Sequence, residues 1–261
     1  MGTEPQRANI LGVGVSAINM PMALSLIDRW VARREQRYVC ITGVHGVMES
    51  QRDPALRAIL CGSGLTTPDG MPLVWLSKLQ GFRHVERVYG PDLMFVVCER
   101  SVAKGYRHFL YGADDSLLDA LAARLRGRFP GLQIVGTYAP PFRPVTLEED
   151  ATIVETINDT KPDILWIGLG TPKQEQWMAG HLGRIAAPVM VGVGAAFDFN
   201  AGRKRQAPPW MQRNGLEWLF RLIQEPRRLS RRYLLNNPRF VIMVLLQMLH
   251  VRRYVLERPF R

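Results

Sequence analysis

The sequence predicts an α/β protein: a parallel sheet with helices on both faces, followed by a helical, basic appendage at the C-terminus. Three observations carry that expectation. Short apolar runs of β-forming residues alternate with segments of helical periodicity over most of the chain, which is the pattern of βα units. The excess of Lys and Arg over Asp and Glu, +11 in 261 residues, lies wholly in residues 203–261, which hold 14 basic and 3 acidic residues. A composition of 47% hydrophobic and 22% charged residues suits a chain that buries a core, and excludes disordered, collagenous and coiled-coil classes.

Taken in order, Met22, Leu26, Ile27 and Trp30 repeat at helical spacing after Pro21, with Arg33 and Arg34 near the end. Residues 38–42 form a short apolar strand ending at Gly43. Helix-like segments at 73–79 and 93–103 follow, separated by turn residues and charges. Then come strand 107–111, helix 116–128, strand 132–136, helix 147–160, strand 163–167, helix 172–181 and strand 188–193. The proline-rich stretch 138–145 reads as a loop. Strands separated by helices run parallel, in a Rossmann-like sheet whose ligands bind at the carboxyl ends of the strands. Near Gly202 the composition turns to Arg, Trp and Pro, dividing the chain into a body, 1–205, and an appendage, 206–261.

Cys40, Cys61 and Cys98 are odd in number, lack metal-ligand spacing and sit in apolar stretches, so they read as reduced core residues of a cytosolic protein. Residues 1–10 lack the basic region and apolar run of a secretory signal. No stretch reaches the roughly 18 apolar residues of a spanning helix. The longest, 240–249, is interrupted by Gln247.

Four stretches could carry chemistry. In Ile167 to Trp177, read Ile-Gly-Leu-Gly-Thr-Pro-Lys-Gln-Glu-Gln-Trp, a strand runs through Gly168 and Gly170 into a helix start. Backbone N–H groups and a helix N-terminus there suit a phosphate, and Lys173 adds a charge. The same residues equally read as a capping box, with Thr171 as the cap, Pro172 in the first helical position and Gln174 completing it. After the last strand, Gly192 to Asn200 brings Asp198, suited to a sugar hydroxyl or to a turn cap, and then Arg203, Lys204 and Arg205, suited to a diphosphate. In Thr66 to Gly70, Asp69 is a turn or N-cap carboxylate, or a general base if a cleft lies beside it. In Glu86 to Asp92, Arg87 is a surface charge or an anion ligand, and Asp92 suits a helix dipole.

In sequence and in order, Pro68-Asp-Gly70, Glu86 to Asp92, Gly168 to Glu175, Phe197-Asp-Phe199 with Gly202, and Glu217-Trp218 with Arg221 resemble the WecG/TagA/CpsF family of bacterial glycosyltransferases. The resemblance spans roughly residues 38–233. It implies transfer of a sugar from a UDP donor to a saccharide on a polyprenyl diphosphate, with inversion and without a metal or other cofactor, in the synthesis of a bacterial exopolysaccharide or cell-surface polymer. It implies Asp69 as general base, and Gly168, Gly170, Lys173, Gln174, Glu175 and Asp198 as the donor site. Arg221, Arg228 and Arg231 are its candidates for appendage arginines that reach the active site and the membrane. Many members carry Thr-x-Asn after the first strand. Here the chain reads Ile41-Thr-Gly-Val-His45, so Thr42 keeps the threonine while His45 either meets substrate or is a half-buried helix-start residue.

Metal-using glycosyltransferases often carry an Asp-x-Asp pair, which the sequence lacks. Asp114 and Asp115 are adjacent and read as a helix start. In the tail, arginine pairs at 227–228 and 231–232 alternate with apolar residues, and an apolar run at 240–251 precedes Arg252 and Arg253. Basic residues flanking a short apolar helix suit an interfacial element at the cytoplasmic face of the plasma membrane. The same helix could instead pack on the body or on a second copy in a homo-oligomer. No nucleic-acid-binding module is recognisable. The competing function is a non-catalytic, membrane-associated scaffold that keeps the nucleotide-binding body.

Overall fold

The computed structural model describes residues 4–256, so the chain ends expected in the body and the appendage, 1–3 and 257–261, lie outside the described residues. The chain opens with β1 (Arg7–Ile10) and β2 (Val13–Ser16), an antiparallel hairpin. Its two turn residues, Leu11 and Gly12, both have positive φ, 54° and 84°, the twist a two-residue hairpin requires. Leu11 is held there by a hydrogen bond from its N–H to the Gln247 side-chain oxygen at 2.9 Å. Leu-Gly is not a turn signature, and sequence periodicity missed this hairpin.

α1 (Met20–Arg33) leads to β3 (Arg37–Thr42), α2 (Val44–Ser50) and α3 (Pro54–Gly62). Asp53 caps α3 by accepting from the Ala55 and Leu56 N–H groups. At the other end, the Arg7 guanidinium donates to the Leu60 and Cys61 carbonyls at 3.3 and 3.1 Å, so both helix termini are satisfied. β4 (Leu65–Pro68), α4 (Met71–Leu79) and α5 (Gly90–Lys104) follow. The alternating part then reads β5 (Arg107–Gly112), α6 (Asp115–Arg128), β6 (Gln133–Tyr138), α7 (Leu147–Asp159), β7 (Ile164–Gly168), α8 (Lys173–His181) and β8 (Val189–Gly192). Asp114 caps α6, and Thr146 with Glu149 forms a capping box on α7. Short helices α9 (Ala196–Asn200), α10 (Pro209–Arg213) and α11 (Glu217–Gln224) precede the long α12 (Pro226–Met248).

The sheet is parallel and six-stranded, in the order β4-β3-β8-β7-β5-β6, and is flanked by helices as the alternation predicts. All four residues of β8, and all of β7 before Gly168, are buried, because helices cover both faces of such a sheet. The Trp166 indole N–H finds a buried acceptor in His108 Nδ1 at 2.9 Å. Burial pushes His108 down to about 3, so the imidazole is neutral and able to accept. The three cysteines are free and buried, and burial pushes the Cys98 thiol up to about 12.

Two compact units result. The first comprises Met1–Met20, Ile41–Tyr89 and Gln206–Arg261; the second comprises Pro21–Cys40 and Gly90–Arg205. Residues 206–256 therefore pack within the first unit, where α12 contacts α2 and α11 contacts α12.

Two local expectations are corrected. The capping box at the start of α8 does not form: the helix begins at Lys173, Pro172 occupies the cap position, and no side chain caps it. Thr171 is too early to cap, and its hydroxyl donates to Glu175 Oε1 at 2.9 Å instead. In the tail, the apolar run 240–251 is not a separate short helix. It is largely the second half of α12, a 23-residue helix that passes through Pro238. Among the described residues, no helix is long and apolar enough to cross a membrane.

Candidate active site

In the first unit, Thr42 ends β3 and Pro68 ends β4. The Asp69 N–H donates to the Thr42 carbonyl at 3.0 Å, which sets the two residues side by side at the strand ends, where α/β sheets take their ligands. Thr42 is buried and Asp69 is half-buried. The cap residue of the helix that follows is Gly70 rather than Asp69.

Arg87 organises the surroundings of Asp69. Its Nε donates to the Asp69 carbonyl, and one terminal nitrogen bonds to Glu217 Oε2 and lies 3.9 Å from Asp69 Oδ1. Its other terminal nitrogen donates to Gln212 Oε1 at 3.1 Å. The guanidinium also lies 3.9 Å from the centroid of the Tyr89 ring, and the Tyr89 hydroxyl donates to Glu217 Oε1 at 3.1 Å. Burial alone would lower the Arg87 pKa, but Asp69, Glu217 and Tyr89 together raise it. Tyr89 is raised first by burial and then by Glu217, so it stays a neutral donor. The result is a fixed cation between two carboxylates, joining the residue after β4 to α10 and α11.

His45 sits in the first turn of α2, half-buried, with Nδ1 3.6 Å from Glu49 Oε1 and no hydrogen bond to either ring nitrogen among the described residues. Burial lowers its pKa to about 4, assisted by the charges of Arg232, Arg52 and Arg221. Of the three appendage arginines expected at the site, Arg221 thus acts on His45. Arg228 is exposed and turned to Glu225, with Nε 3.0 Å from Oε1. Arg231 is exposed on α12. Arg232, which the sequence did not single out, is half-buried beside Arg221 and Arg228, its pKa lowered chiefly by burial.

In the second unit, the turn after β7 is closed by its own side chains. The Gly170 N–H donates to Gln174 Oε1 at 3.1 Å, and Gln174 Nε2 donates to Glu175 Oε1 at 3.0 Å. Gly170 therefore does not present a free amide to a phosphate while Gln174 occupies it. Glu175 is buried, and burial raises its pKa against the hydrogen bonds from Gln174 and Thr171. Gln174 fills the space between two glycine turns: a Cβ on Gly192 would come within 3.1 Å of its Nε2, and one on Gly194 within 3.3 Å of its Oε1. Gly168 is required for another reason, since a Cβ there would strike the Phe197 ring at 2.5 Å. Lys173 is exposed at the helix start.

The Asp198 carbonyl accepts from the N–H groups of Arg203 and Lys204 at 2.9 and 3.2 Å, and its carboxylate lies 3.7 Å from Lys204 Nζ. Arg203 turns to the start of α6, bonding to Ser116 and lying 3.3 Å from Asp114 Oδ2. Arg205 is exposed. Among the described residues, no group of three His, Cys, Asp or Glu side chains is placed to hold a metal.

The structure thus gathers Asp69, Thr42 and Arg87 in the first unit, and Gly168, Gly170, Gln174 and Glu175 in the second. Tyr89, Gln212 and Glu217 were missed as site residues. The Glu217-Trp218 pair was visible as part of a motif, but its partner Arg87 is 130 positions away, a separation that no local spacing encodes.

The model of the glycosyl transferase WecG/TagA/CpsF family matches residues 8–254. The chain is 30% identical over 197 residues to the N-acetylglucosaminyldiphosphoundecaprenol N-acetyl-beta-D-mannosaminyltransferase of Bacillus spizizenii, covering 76% of this chain and 74% of that protein. It is 31% identical over 227 residues to the Staphylococcus aureus (strain MW2) protein of the same name, covering 86% and 87%.

Proposed function

We propose that this chain, which belongs to the WecG/TagA/CpsF family of glycosyl transferases, moves a sugar from a UDP-sugar onto a saccharide carried by a polyprenyl diphosphate, with inversion and without a metal. The observation that carries the reading is Asp69: a half-buried carboxylate at the strand ends, flanked by a fixed arginine. Asp69 takes the proton from the acceptor hydroxyl as its oxygen attacks the anomeric carbon. The bond from that carbon to the diphosphate breaks, and UDP departs with the electron pair. Attack opposite the leaving group inverts the centre.

Lys173 and the glycine turn of the second unit are assigned to the donor diphosphate, whose developing charge needs cations and amide donors. Because Gln174 occupies the Gly170 amide, donor binding would turn the Gln174 side chain away. Asp198 is assigned to a donor hydroxyl. Arg203 and Arg205 are assigned to phosphate contacts, Arg203 exchanging Asp114 for the ligand. Thr42, His45, Arg221, Arg228 and Arg231 are assigned to the acceptor side. The relatives' name supports N-acetylmannosamine as the sugar and N-acetylglucosamine on undecaprenyl diphosphate as the acceptor.

We assign the working location to a membrane surface, at its cytoplasmic face. α12 leaves Leu234, Leu235, Val241, Ile242, Leu245 and Leu249 exposed, repeating at intervals of three, four and seven along one side of the helix, as an interfacial helix does. A panel of UDP-sugars assayed with a short-chain polyprenyl-diphosphate N-acetylglucosamine, with and without chelator, tests the reading. UDP release and β-linked product that persist in chelator are expected. Acceptor-independent hydrolysis alone, or loss of turnover with chelator, would overturn the mechanism.

A further inference from the structure

The first unit contains a cationic cavity of about 330 Å³ that shares no residue with the Asp69 network. Its lining includes Gly12, Gln51, Arg57, Arg252, Arg253 and Tyr254. The lining is built from fixed parts. The Tyr254 carbonyl accepts from Asn9 Nδ2 at 2.7 Å, and the Arg252 N–H donates to the Leu246 carbonyl at 3.1 Å, so the segment after α12 is tied down. Gln51 Nε2 donates to the Leu11 carbonyl at 2.9 Å. Gly12, at φ +84°, stands at the lining beside Val255 and Arg57: a Cβ there would lie 3.4 Å from the Val255 carbonyl and 3.6 Å from Arg57 Cδ.

Three arginines, Arg57, Arg252 and Arg253, are among the residues lining this space, and no Asp or Glu of the described residues is. The Tyr254 hydroxyl is buried without a hydrogen-bond partner among the described residues. Such a set of donors suits a phosphate, whose several oxygens accept from planar guanidinium forks. The cavity also continues a lipid-facing surface. Arg252 directly follows Val251, which is 70% exposed, and Leu249, 71% exposed, closes the apolar stripe of α12. Cations at the margin of an exposed apolar strip are what the boundary between headgroups and acyl chains selects.

We infer that this cavity binds the phosphate of an anionic lipid headgroup and so fixes how the tail lies on the membrane. The inference rests on the membrane-surface reading above. The test is co-sedimentation of the full chain with phosphatidylcholine vesicles, with and without phosphatidylglycerol. It compares wild type, R252Q/R253Q, and R227Q/R239Q, which removes the same charge from exposed positions of α12 outside the cavity. Thermal melting checks that both variants stay folded.

General attraction weakens both variants, but the cavity pair is expected to lose about tenfold more binding to phosphatidylglycerol vesicles than the control pair. Equal losses would overturn the cavity and leave the membrane reading standing. No binding of wild type to either vesicle would overturn both. Inorganic phosphate is the arm that separates the sources. If it raises the melting temperature saturably in wild type but not in R252Q/R253Q, while the two variants bind vesicles equally, the cavity takes free phosphate and the lipid assignment falls.

Discussion

Asp69 in the first unit and Glu175 in the second are both carboxylates near the carboxyl end of a parallel strand, but they are held by opposite means. The surroundings of Asp69 are fixed by residues far away in sequence: Arg87, 18 positions on, and through it Gln212 and Glu217, 125 and 130 positions from Arg87. The turn at Glu175 is fixed by its immediate neighbours Gly170, Thr171 and Gln174, none more than four positions away within the hydrogen-bond chain. One site is assembled by the tertiary fold and the other by its own segment. The difference implies that the Asp69 site is vulnerable to changes in the tail, whereas the glycine turn is not.

The largest effect is expected from Asp69→Asn, which keeps the shape and removes the base. Turnover should fall by about 10²–10⁴-fold with the melting temperature nearly unchanged, and near-normal turnover would remove Asp69 from the role. Next comes Arg87→Met, which leaves Glu217 and Asp69 facing each other without a cation. Denaturant unfolding should show a loss of about 3 kcal/mol, and a companion Glu217→Leu should recover part of it. Truncation at residue 205 is a blunt tool for the tail, because it also strips Gln212 and Glu217 from Arg87.

Acid distinguishes the units less sharply, since each holds one depressed histidine, His45 at about 4 and His108 at about 3. Both are neutral when folded and take a proton near 6.5 when unfolded. The unfolded state therefore binds more protons below that pH. Stability is complete above about 6.5 and falls by about 1.4 kcal/mol per pH unit for each histidine as pH drops toward its folded value. His45→Asn should remove one proton from that slope between pH 6.5 and 4, measured by unfolding across pH.

A smaller loss, about 1 kcal/mol, is expected from Gln174→Ala, which breaks two local hydrogen bonds. A loss as large as that of Arg87→Met would erase the contrast between the two sites. Smallest of all, Ile242→Ser with Leu245→Ser, both on the exposed side of α12, should change stability by less than about 0.5 kcal/mol while weakening vesicle binding. A large stability loss would show that these residues are covered by protein.

The alternating elements of 107–193 were legible in the sequence because each is decided locally: apolar runs make buried strands, and 3.6-residue periodicity makes helices. Their observed ends differ from expectation by only a residue or two. The β1–β2 hairpin was not legible, because Leu11 adopts a left-handed conformation that its residue type disfavours and Gln247 supplies the bond that holds it. The helices α2 and α3 and the strand β4 were missed.

By itself, then, the sequence determined the α/β class, the family motifs, and a basic tail with an apolar run. Tertiary structure alone decided that the Gly170 amide is occupied, that Tyr89, Gln212 and Glu217 surround Arg87, and that Arg252 and Arg253 share a cavity with Arg57. The reason is physical. Periodicity and capping depend on neighbours a few residues apart. A buried charge takes whichever counter-charge the fold brings within reach, and that pairing is fixed only once the core has closed.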